Sequence, residues 1–427
     1  MLGPAHTITI NQIFPMNIPS YIDRYEKNAL GLFLHWGLYS LIKEGEWVSH
    51  HHRLNRPQYN ELAKKFTADA WDPRAIVRWA RHNGIRYTCL TTRHHDGFSL
   101  YDTRGLNSFD APHSAAGRDL VAEFVEACRA EDMKIFFYHT TLDWNEPSFD
   151  QDWEGYLQYL NQSVEILCTQ YGQIDGLWFD GNWARPQNNW KEENLYQMIR
   201  RHQPECMIIN NSSIGALGDL THPELDAVTF EQGQPTQRHQ DPGTKYTAAE
   251  MCETINSHWG HAQADYSHKS PAQLITSLAA CRRFRANFLL NISPLPDGSL
   301  PAYEKAAIDI LGKWARQAGE VLYEGVPVPA KTGPRDFILA HQGDWFYFSH
   351  DLPIDQNMHL SEGQPRGDGW QTISAENLPR FSSVSWLDND EKLPFVQDAE
   401  KGVCAFHATP HPYGQQRIVR IARLQKG

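Results

Sequence analysis

Short apolar runs alternate with amphipathic stretches over the first three quarters of the chain, and this alternation limits the fold more than any other feature. Each run is four to seven residues long, which is typical of parallel strands buried on both faces. The runs are Gly31–Trp36, Arg86–Thr92, Lys134–His139, Gly176–Asp180, Met207–Asn210, Ala227–Glu231 and Asn287–Ile292. Between them, stretches such as Arg118–Met133 and Tyr156–Tyr171 repeat apolar residues at helical spacing. The pattern predicts an α/β protein with a parallel sheet.

Nearly every predicted strand ends in polar residues, and their distribution decides between a closed and an open sheet. The strand ends are His35, His94-His95-Asp96, Tyr138-His139, Asp180, Asn210-Asn211, Glu231 and Asn291. Polar groups that converge from many strand ends are typical of a (β/α)8 barrel, whose site lies at the C-terminal rim. An open sheet would gather them at one switch point, and no GxGxxG turn follows the first strand. We therefore predict a TIM-like (β/α)8 barrel over residues 1–325, with seven strands recognised and the eighth expected near Met251–Ile255.

The pattern changes after the helical stretch Pro301–Arg316. Four short strand-like runs follow, separated by turns rich in Gly, Pro and Asp: Phe337–Ala340, Trp345–Phe348, Ser383–Leu387 and Arg417–Ile421. Such spacing predicts a small antiparallel β-sandwich over residues 326–427.

Composition excludes several classes of protein. The chain has 427 residues, 41% hydrophobic and 21% charged, which indicates a folded globular protein. Its net charge of −12, without a basic stretch, makes nucleic acid an unsuitable partner. No window of about 18 apolar residues occurs, so we expect no membrane partner, and a homo-oligomer is compatible with the sequence.

Cysteine usage and the N-terminus together predict a location. The seven Cys residues are scattered without a CxxC pair, as expected for free thiols in a reducing compartment. The first residues show no basic segment followed by an apolar one, as a secretory signal would require. We expect a cytoplasmic protein.

Two carboxylates end apolar runs, Asp180 after Leu177-Trp178-Phe179 and Glu231 after Val228-Thr229-Phe230. A charge there is costly unless it is hydrogen-bonded or functional. The alternative interpretation of Asp180 is a cap for the next helix or turn. Two acids at two strand ends of one barrel suggest glycoside hydrolysis, with one acid as nucleophile and the other as proton donor. The 12% of aromatic residues also suits stacking against sugar rings.

Six motifs carry a resemblance to a known family. They are Phe33–Ser40 (FLHWGLYS), Gly45–Trp47 (GEW), His94–Phe98 (HHDGF), Leu142–Trp144 (LDW), Leu177–Gly181 (LWFDG) and Asn287–Pro294 (NFLLNISP). In this order the chain resembles the family 29 glycoside hydrolases, which are retaining α-L-fucosidases with a (β/α)8 barrel and a C-terminal β-sandwich. The resemblance implies an exo-acting enzyme that hydrolyses terminal α-L-fucose from glycans or fucosides by double displacement, without a cofactor.

The resemblance also implies roles for individual residues. Asp180 occupies the position of the family's nucleophile, the Asp of WFDG. The residues that match positions binding the fucose hydroxyls or walling its ring are His35, Glu46, Trp47, His94, His95, Tyr138 and Trp178.

Two glutamates compete for the role of acid/base. Glu231, followed by Gln232, looks like the Glu of the family's TPEQ segment, whereas Glu250 looks like the Glu of its WE-x-C segment, with Ala249 in place of the Trp. We favour Glu231 because it ends a strand. Glu250 is expected to open a helix-like stretch and to interact with the helix N-terminus.

One segment departs from the family. Many relatives have an Asn-Arg or Asp-Arg pair after the fifth strand, but this chain has Asn210-Asn211-Ser212-Ser213. The guanidinium is then absent or supplied by Arg282 or Arg285. The departure concerns substrate range more than reaction class.

Two other functions are alternatives. His50-His51-His52 and His94-His95 suggest a metal hydrolase. However, the first strand carries a single His, no HExxH occurs, and adjacent strand residues point to opposite faces, so we expect no metal and a polar loop at residues 50–52. The other alternative is a carbohydrate-binding protein with a degenerate barrel site, which the missing Arg favours and the retained acids oppose. No GxSxG elbow supports a Ser nucleophile.

Overall fold

Eight parallel strands close into a barrel in the computed structural model, which describes residues 18–212, 214–237, 244–354 and 371–426. The strands are β1 (Leu30–Leu34), β2 (Tyr87–Arg93), β3 (Lys134–Thr140), β4 (Gly176–Asp180), β5 (Met207–Asn210), β6 (Ala227–Glu231), β7 (Ala248–Glu253) and β8 (Asn287–Ile292). Each strand pairs with the next along the chain, and β8 pairs with β1. The predicted barrel is therefore confirmed.

The one barrel strand that the sequence did not define clearly is β7, and its observed position differs from the predicted one. β7 overlaps the predicted range near residues 251–255 but begins at Ala248. Glu250 consequently lies within a strand, and the expectation that it opens a helix is wrong. The two glutamates of this strand make its sequence look polar, although all six of its residues are buried.

Helices pack around the barrel between most of its strands. They are α1 (Ser20–Glu26), α2 (Val48–His51), α3 (Arg56–Asn60), α4 (Pro73–His82), α5 (Leu120–Ala130), α6 (Ser148–Gln151), α7 (Trp153–Gln170), α8 (Glu192–His202), α9 (Pro271–Arg283), α10 (Ala302–Ala318) and α11 (Val321–Glu324). Helices α5 and α7 confirm the two stretches predicted from apolar spacing, and α10 confirms the predicted helical stretch at residues 301–316. Within the described residues, no helix lies between β5 and β7, and none is both long and apolar enough to cross a bilayer.

Side-chain caps fix where the longer helices begin. Asp119 accepts a hydrogen bond from the backbone of Ala122 at the start of α5, and Asp152 does the same for Gly155 at the start of α7. Ser270 and Gln273 form a reciprocal capping box at the start of α9. These caps satisfy amide groups that a helix start leaves free.

Two antiparallel sheets follow the barrel. Their strands are β9 (Val326–Pro327), β10 (Phe337–His341), β11 (Asp344–Ser349), β12 (Gln371–Ala375), β13 (Phe381–Trp386), β14 (Phe395–Asp398), β15 (Val403–Ala408) and β16 (Arg420–Lys426). One sheet has the order β13-β16-β11-β10-β9 and the other β12-β15-β14. Apolar residues from both sheets, among them Ile338, Trp386 and Phe406, form one buried cluster. The predicted β-sandwich is therefore confirmed.

Candidate active site

One pocket at the C-terminal rim of the barrel collects most of the predicted site residues. Its lining consists of Phe33, His35, Trp47, His94, His95, Tyr138, Trp178, Asp180, Trp183, Asn211, Ile214, Glu231 and Trp259. Eight of the ten predicted residues are in this set, and Glu46 and Glu250 are not. A larger cleft beside the sandwich, lined by Tyr246, Arg283 and Asp336 among others, contains none of the predicted residues.

Asp180, the last residue of β4, points into this pocket and is held by three side chains. Tyr138 Oη donates to its Oδ2 at 3.1 Å, and Trp183 Nε1 donates to its Oδ1 at 2.8 Å. His95 Nε2 lies 3.3 Å from Oδ2. None of these contacts caps a helix, so the capping interpretation of Asp180 is wrong.

Burial acts to raise the pKa of the Asp180 carboxyl, but its hydrogen-bonding partners outweigh burial. The contact with His95, followed by the hydrogen bonds from Trp183 and Tyr138, leaves the pKa below its ordinary value. Trp183 reaches the carboxylate because the chain turns sharply at Gly181, which has a φ of 118°. Asp180 is consequently an ionised, oriented carboxylate over the whole neutral range.

Glu231, the last residue of β6, lies in the same pocket, but its pKa is raised by its surroundings, whereas that of Asp180 is lowered. Its Oε2 accepts from Asn211 Nδ2 at 2.6 Å. Burial and the negative charge of Asp180 raise its pKa to about 7, although hydrogen bonds from Asn211 and Trp259 oppose the rise. Near neutral pH this carboxyl can therefore both donate and accept a proton. Two carboxyls whose environments separate their pKa values form an acid–nucleophile pair.

His35 presents a defined nitrogen to the pocket. Its Nδ1 lies 2.7 Å from Asn291 Oδ1, and Asn291 Nδ2 donates to the carbonyl of Trp259 at 2.7 Å, which fixes the amide orientation. Nδ1 therefore carries the hydrogen, and Nε2 is left as an acceptor. Burial lowers the pKa of His35 to about 3, so the ring is neutral.

His94 and His95 lie side by side, with ring centroids 4.2 Å apart. The expectation that they point to opposite faces is wrong, because the register of β2 against β3 shifts between Thr91 and Arg93 and both residues follow the strand end. Burial lowers the pKa of His94 well below its ordinary value. Among the described residues, the buried His94 Nδ1 finds no hydrogen-bond partner, which is unusual for a buried polar atom.

Aromatic rings form the remaining wall. Trp178 stacks on Tyr138 with centroids 5.6 Å apart, and Trp47 stacks on Trp183 at 5.7 Å. Two pocket tryptophans were not predicted: Trp183 follows Asp180 by three positions, which is a weak signal, whereas Trp259 lies in the loop after β7, six residues past the strand end. Such rings suit the apolar C–H faces of a sugar.

Glu46 holds the loop that carries Trp259 rather than lining the pocket. Its Oε2 accepts from the backbone amides of Trp259 and Gly260, at 3.0 and 2.8 Å. It therefore determines where the Trp259 indole stands, and a direct contact between Glu46 and substrate stays a prediction.

Glu250 also lies outside the pocket. It is fully buried inside the barrel, where it accepts hydrogen bonds from Tyr25, Tyr87 and Trp178. No proton of this carboxyl can reach a ligand in the pocket without a rearrangement of the surrounding rings.

The two arginines proposed to replace the family's guanidinium do not reach the site. Arg282 donates to the carbonyls of Leu322, Ala286 and Tyr323, and Arg285 pairs with Asp23 and Glu26. The expectation for both is therefore wrong. In this part of the described chain, a neutral amide, that of Asn211, contacts Glu231 instead.

The run of three histidines at residues 50–52 lies partly in a helix. His50 and His51 belong to the short helix α2 rather than to a loop, and His50 stacks on Trp144 at 4.8 Å. Over the described residues, no group of three or more His, Cys, Asp or Glu side chains is arranged to hold a metal ion.

Comparison with known proteins agrees with this geometry. The family model described as alpha-L-fucosidase matches residues 15–320. An α-L-fucosidase of Branchiostoma floridae is 24% identical over 409 residues, covering 87% of each chain. The tissue α-L-fucosidase of Homo sapiens is 25% identical over 338 residues, covering 73% of this chain and 70% of its own.

Solved structures place the same fold around the site. The α-L-fucosidase isoenzyme 1 of Paenibacillus thiaminolyticus superposes with a TM-score of 0.81 at 27% identity, covering 95% of this chain and 98% of its own. A GH29 α-L-fucosidase of Bacteroides thetaiotaomicron has a TM-score of 0.80 at 19% identity, covering 96% and 95%. Because the family model spans well over half of the residues, the chain belongs to the α-L-fucosidase family of glycoside hydrolases.

Proposed function

We propose that this protein is an exo-acting, retaining α-L-fucosidase that releases terminal α-L-fucose from glycans or fucosides. The observation that carries the proposal is the pair Asp180 and Glu231, which share one pocket and whose pKa values move in opposite directions. An ionised carboxylate beside a carboxyl that titrates near 7 is the combination that double displacement requires.

In the first step, Asp180 attacks the anomeric carbon while Glu231 gives its proton to the departing glycosidic oxygen. A covalent fucosyl ester on Asp180 and a free alcohol result. In the second step, the Glu231 carboxylate takes a proton from water as the water oxygen attacks the same carbon, and Asp180 is released. A Bacteroides thetaiotaomicron GH29 enzyme with this fold has been solved as a trapped covalent intermediate, the kind of species that Asp180 would form here.

The pocket supports recognition of one terminal sugar. With its Nδ1 hydrogen-bonded to Asn291, His35 keeps Nε2 as an acceptor for a sugar hydroxyl, and His94 lines the same pocket. Trp178, Tyr138 and Phe33 are buried and close the inner end, so a chain cannot continue through it. The aglycone must then extend out of the open side of the pocket. We expect the loops around that side to accommodate several aglycones. No cofactor enters either step.

The anomer that forms first tests the mechanism. Hydrolysis of 4-nitrophenyl α-L-fucoside, followed by proton NMR, should show α-fucose before mutarotation, and Asp180→Ala should abolish turnover. Initial β-fucose would contradict retention. Binding without release would instead support the carbohydrate-binding alternative, and loss of activity with a chelator would support the metal alternative.

We also propose a cytoplasmic location. All seven cysteines are free and buried, and their separation from one another suits a reducing compartment. Fractionation of the native source cells, with an antibody against the chain, tests this location, and recovery from the culture medium would contradict it.

A further inference from the structure

The carboxylate of Glu250 is buried in the barrel interior without a cationic partner. Its side chain is 0% exposed. Oε2 accepts from the hydroxyls of Tyr25 and Tyr87, both at 2.5 Å, and Oε1 accepts from the indole Nε1 of Trp178 at 2.8 Å. Of the residues that the structure describes, no Lys, Arg or His forms an ion pair with it. Three neutral donors alone therefore compensate the carboxyl.

Burial of a carboxyl in this position carries a desolvation cost in free energy. Burial raises its pKa, and the hydrogen bonds from Tyr25, Tyr87 and Trp178 only oppose that rise. An apolar side chain of similar volume would avoid the desolvation cost. Stability of the barrel is thus a poor explanation for Glu250, and its directional contacts are a better one.

Those contacts lead to the reactive carboxylate in two steps. Trp178 precedes Asp180 by two positions on β4, so both side chains lie on the same face of the strand. The Trp178 indole stacks on Tyr138 with an interplanar angle of 23°, and Tyr138 Oη donates to Asp180 Oδ2. Fixing the indole at Nε1 therefore fixes the ring against which Tyr138 rests.

We propose that Glu250 is a positioning residue for the active site, which orients Trp178 and, through the stacked ring of Tyr138, the Asp180 carboxylate. The proposal rests on the proposed function, because it takes Asp180 as the nucleophile. It separates Glu250 from the acid/base role, since Glu250 acts by accepting hydrogen bonds and exchanges no proton with substrate.

Two substitutions at one position distinguish the roles. Glu250→Met removes every acceptor and should lower kcat/KM by about 10²-fold, with kcat falling more than KM rises, because a small displacement of the nucleophile is enough. Glu250→Gln keeps one amide oxygen for Trp178 Nε1 and should recover most of that loss. Glu253→Gln is the matched control, since Glu253 is buried on the same strand but faces Lys269, and it should leave both constants unchanged.

A spectroscopic measurement follows the contact itself. In protein labelled with 15N-tryptophan, the indole resonance that disappears in Trp178→Phe should shift in Glu250→Met and stay nearly in place in Glu250→Gln and Glu253→Gln. An unchanged resonance in Glu250→Met would overturn the proposal.

Kinetic outcomes separate this proposal from the others. Equal losses in Glu250→Gln and Glu250→Met, together with formation of fucosyl azide, would assign Glu250 as the acid/base and overturn the positioning role. A lower melting temperature with unchanged kcat would reduce Glu250 to a structural residue. If Glu250→Met does not fold, the residual effect of Glu250→Gln must vanish in a Trp178→Phe background. Failure of the proposed function would appear instead as an active Asp180→Ala enzyme.

Discussion

Asp180 ends β4 and Glu231 ends β6, so a single strand, β5, separates the two carboxyls around the barrel. That strand continues into Asn211, whose amide donates to Glu231. Asn211, which lies between the two acids, thus lowers the pKa of Glu231. The pocket as a whole keeps Asp180 ionised beside a Glu231 carboxyl that titrates near neutrality.

The pH profile should report this pair. Activity needs Asp180 ionised and Glu231 protonated, so kcat/KM for an aryl α-L-fucoside should fall on the basic side near pH 7. Asn211→Leu removes a donor that stabilises the ionised form of Glu231, so the basic limb should move to higher pH. A limb that moves to lower pH, or stays in place, would contradict this role of Asn211.

Leaving-group dependence should identify the proton donor. Glu231→Ala should lower kcat/KM for fucosyl-oligosaccharides by about 10²- to 10⁴-fold, because a sugar alkoxide is a poor leaving group without a proton. An activated aryl fucoside should be spared in its first step, and azide should accelerate the second step with formation of a fucosyl azide of retained configuration. The same panel with Glu250→Ala is the comparison, and there the losses should not depend on the leaving group.

The cost of placing Glu231 in this pocket should appear as a pH-dependent stability. Below about pH 4.5 its carboxyl is protonated in both the folded and the unfolded chain, but between that pH and about 7 only the unfolded chain ionises readily. Ionisation therefore favours unfolding as the pH rises, by an amount on the order of 3 kcal/mol. Glu231→Gln should gain stability over the wild type at pH 8 and not at pH 4.5 in urea unfolding. The exposed Glu400→Gln should show no such difference.

Much of the barrel could be predicted because strands buried on both faces leave continuous apolar runs, as Ala227–Glu231 does. β7 escaped recognition because Glu250 and Glu253 interrupt its pattern, although one is held inside the barrel and the other faces Lys269. The sandwich strands β12 and β14 were not predicted: only two of the five residues of β12 are buried, and β14 alternates exposed with partly buried residues. No local run of sequence distinguishes such strands from loops.

The same limit applies to the site. Strand-end polar residues such as Asp180 and His35 could be predicted because the fold brings every strand end to one rim. Trp259 could not, since its position depends on Glu46, which is 213 residues away in the chain and accepts hydrogen bonds from its backbone. The hydrogen bonds from the backbone amides of Trp259 and Gly260 to Glu46 could not be predicted for the same reason.

Close packing inside the barrel should make Gly31 intolerant of any side chain. A Cβ at this position of β1 would lie 2.2 Å from the ring of Tyr87, one of the donors to Glu250. Gly31→Ala should therefore lower the free energy of unfolding by about 1–3 kcal/mol and reduce activity as well. Gly215→Ala, where the space is open, is the control in thermal unfolding. Equal melting temperatures for the two variants would show that the ring moves aside freely.

The tautomer of His35 should determine whether the pocket can accept a hydrogen bond from one hydroxyl of the sugar. Asn291 Oδ1 holds the hydrogen on Nδ1, and the acceptor Nε2 then faces the pocket. In Asn291→Leu the ring is free to place the hydrogen on Nε2, so a substrate donor meets no acceptor, and kcat/KM should fall about 10- to 100-fold. Asn161→Leu, which loses only a contact to Leu157 within α7, should leave kcat/KM unchanged.

A set of monodeoxy aryl fucosides tests whether that loss is specific. The analogue that lacks the hydroxyl bound by His35 should be hydrolysed at nearly the same rate by Asn291→Leu and the wild type, because the contact is already absent. All other analogues should show the full loss. If every analogue loses equally, Asn291 supports the pocket in general, through its hydrogen bond to the Trp259 carbonyl, and the tautomer argument fails.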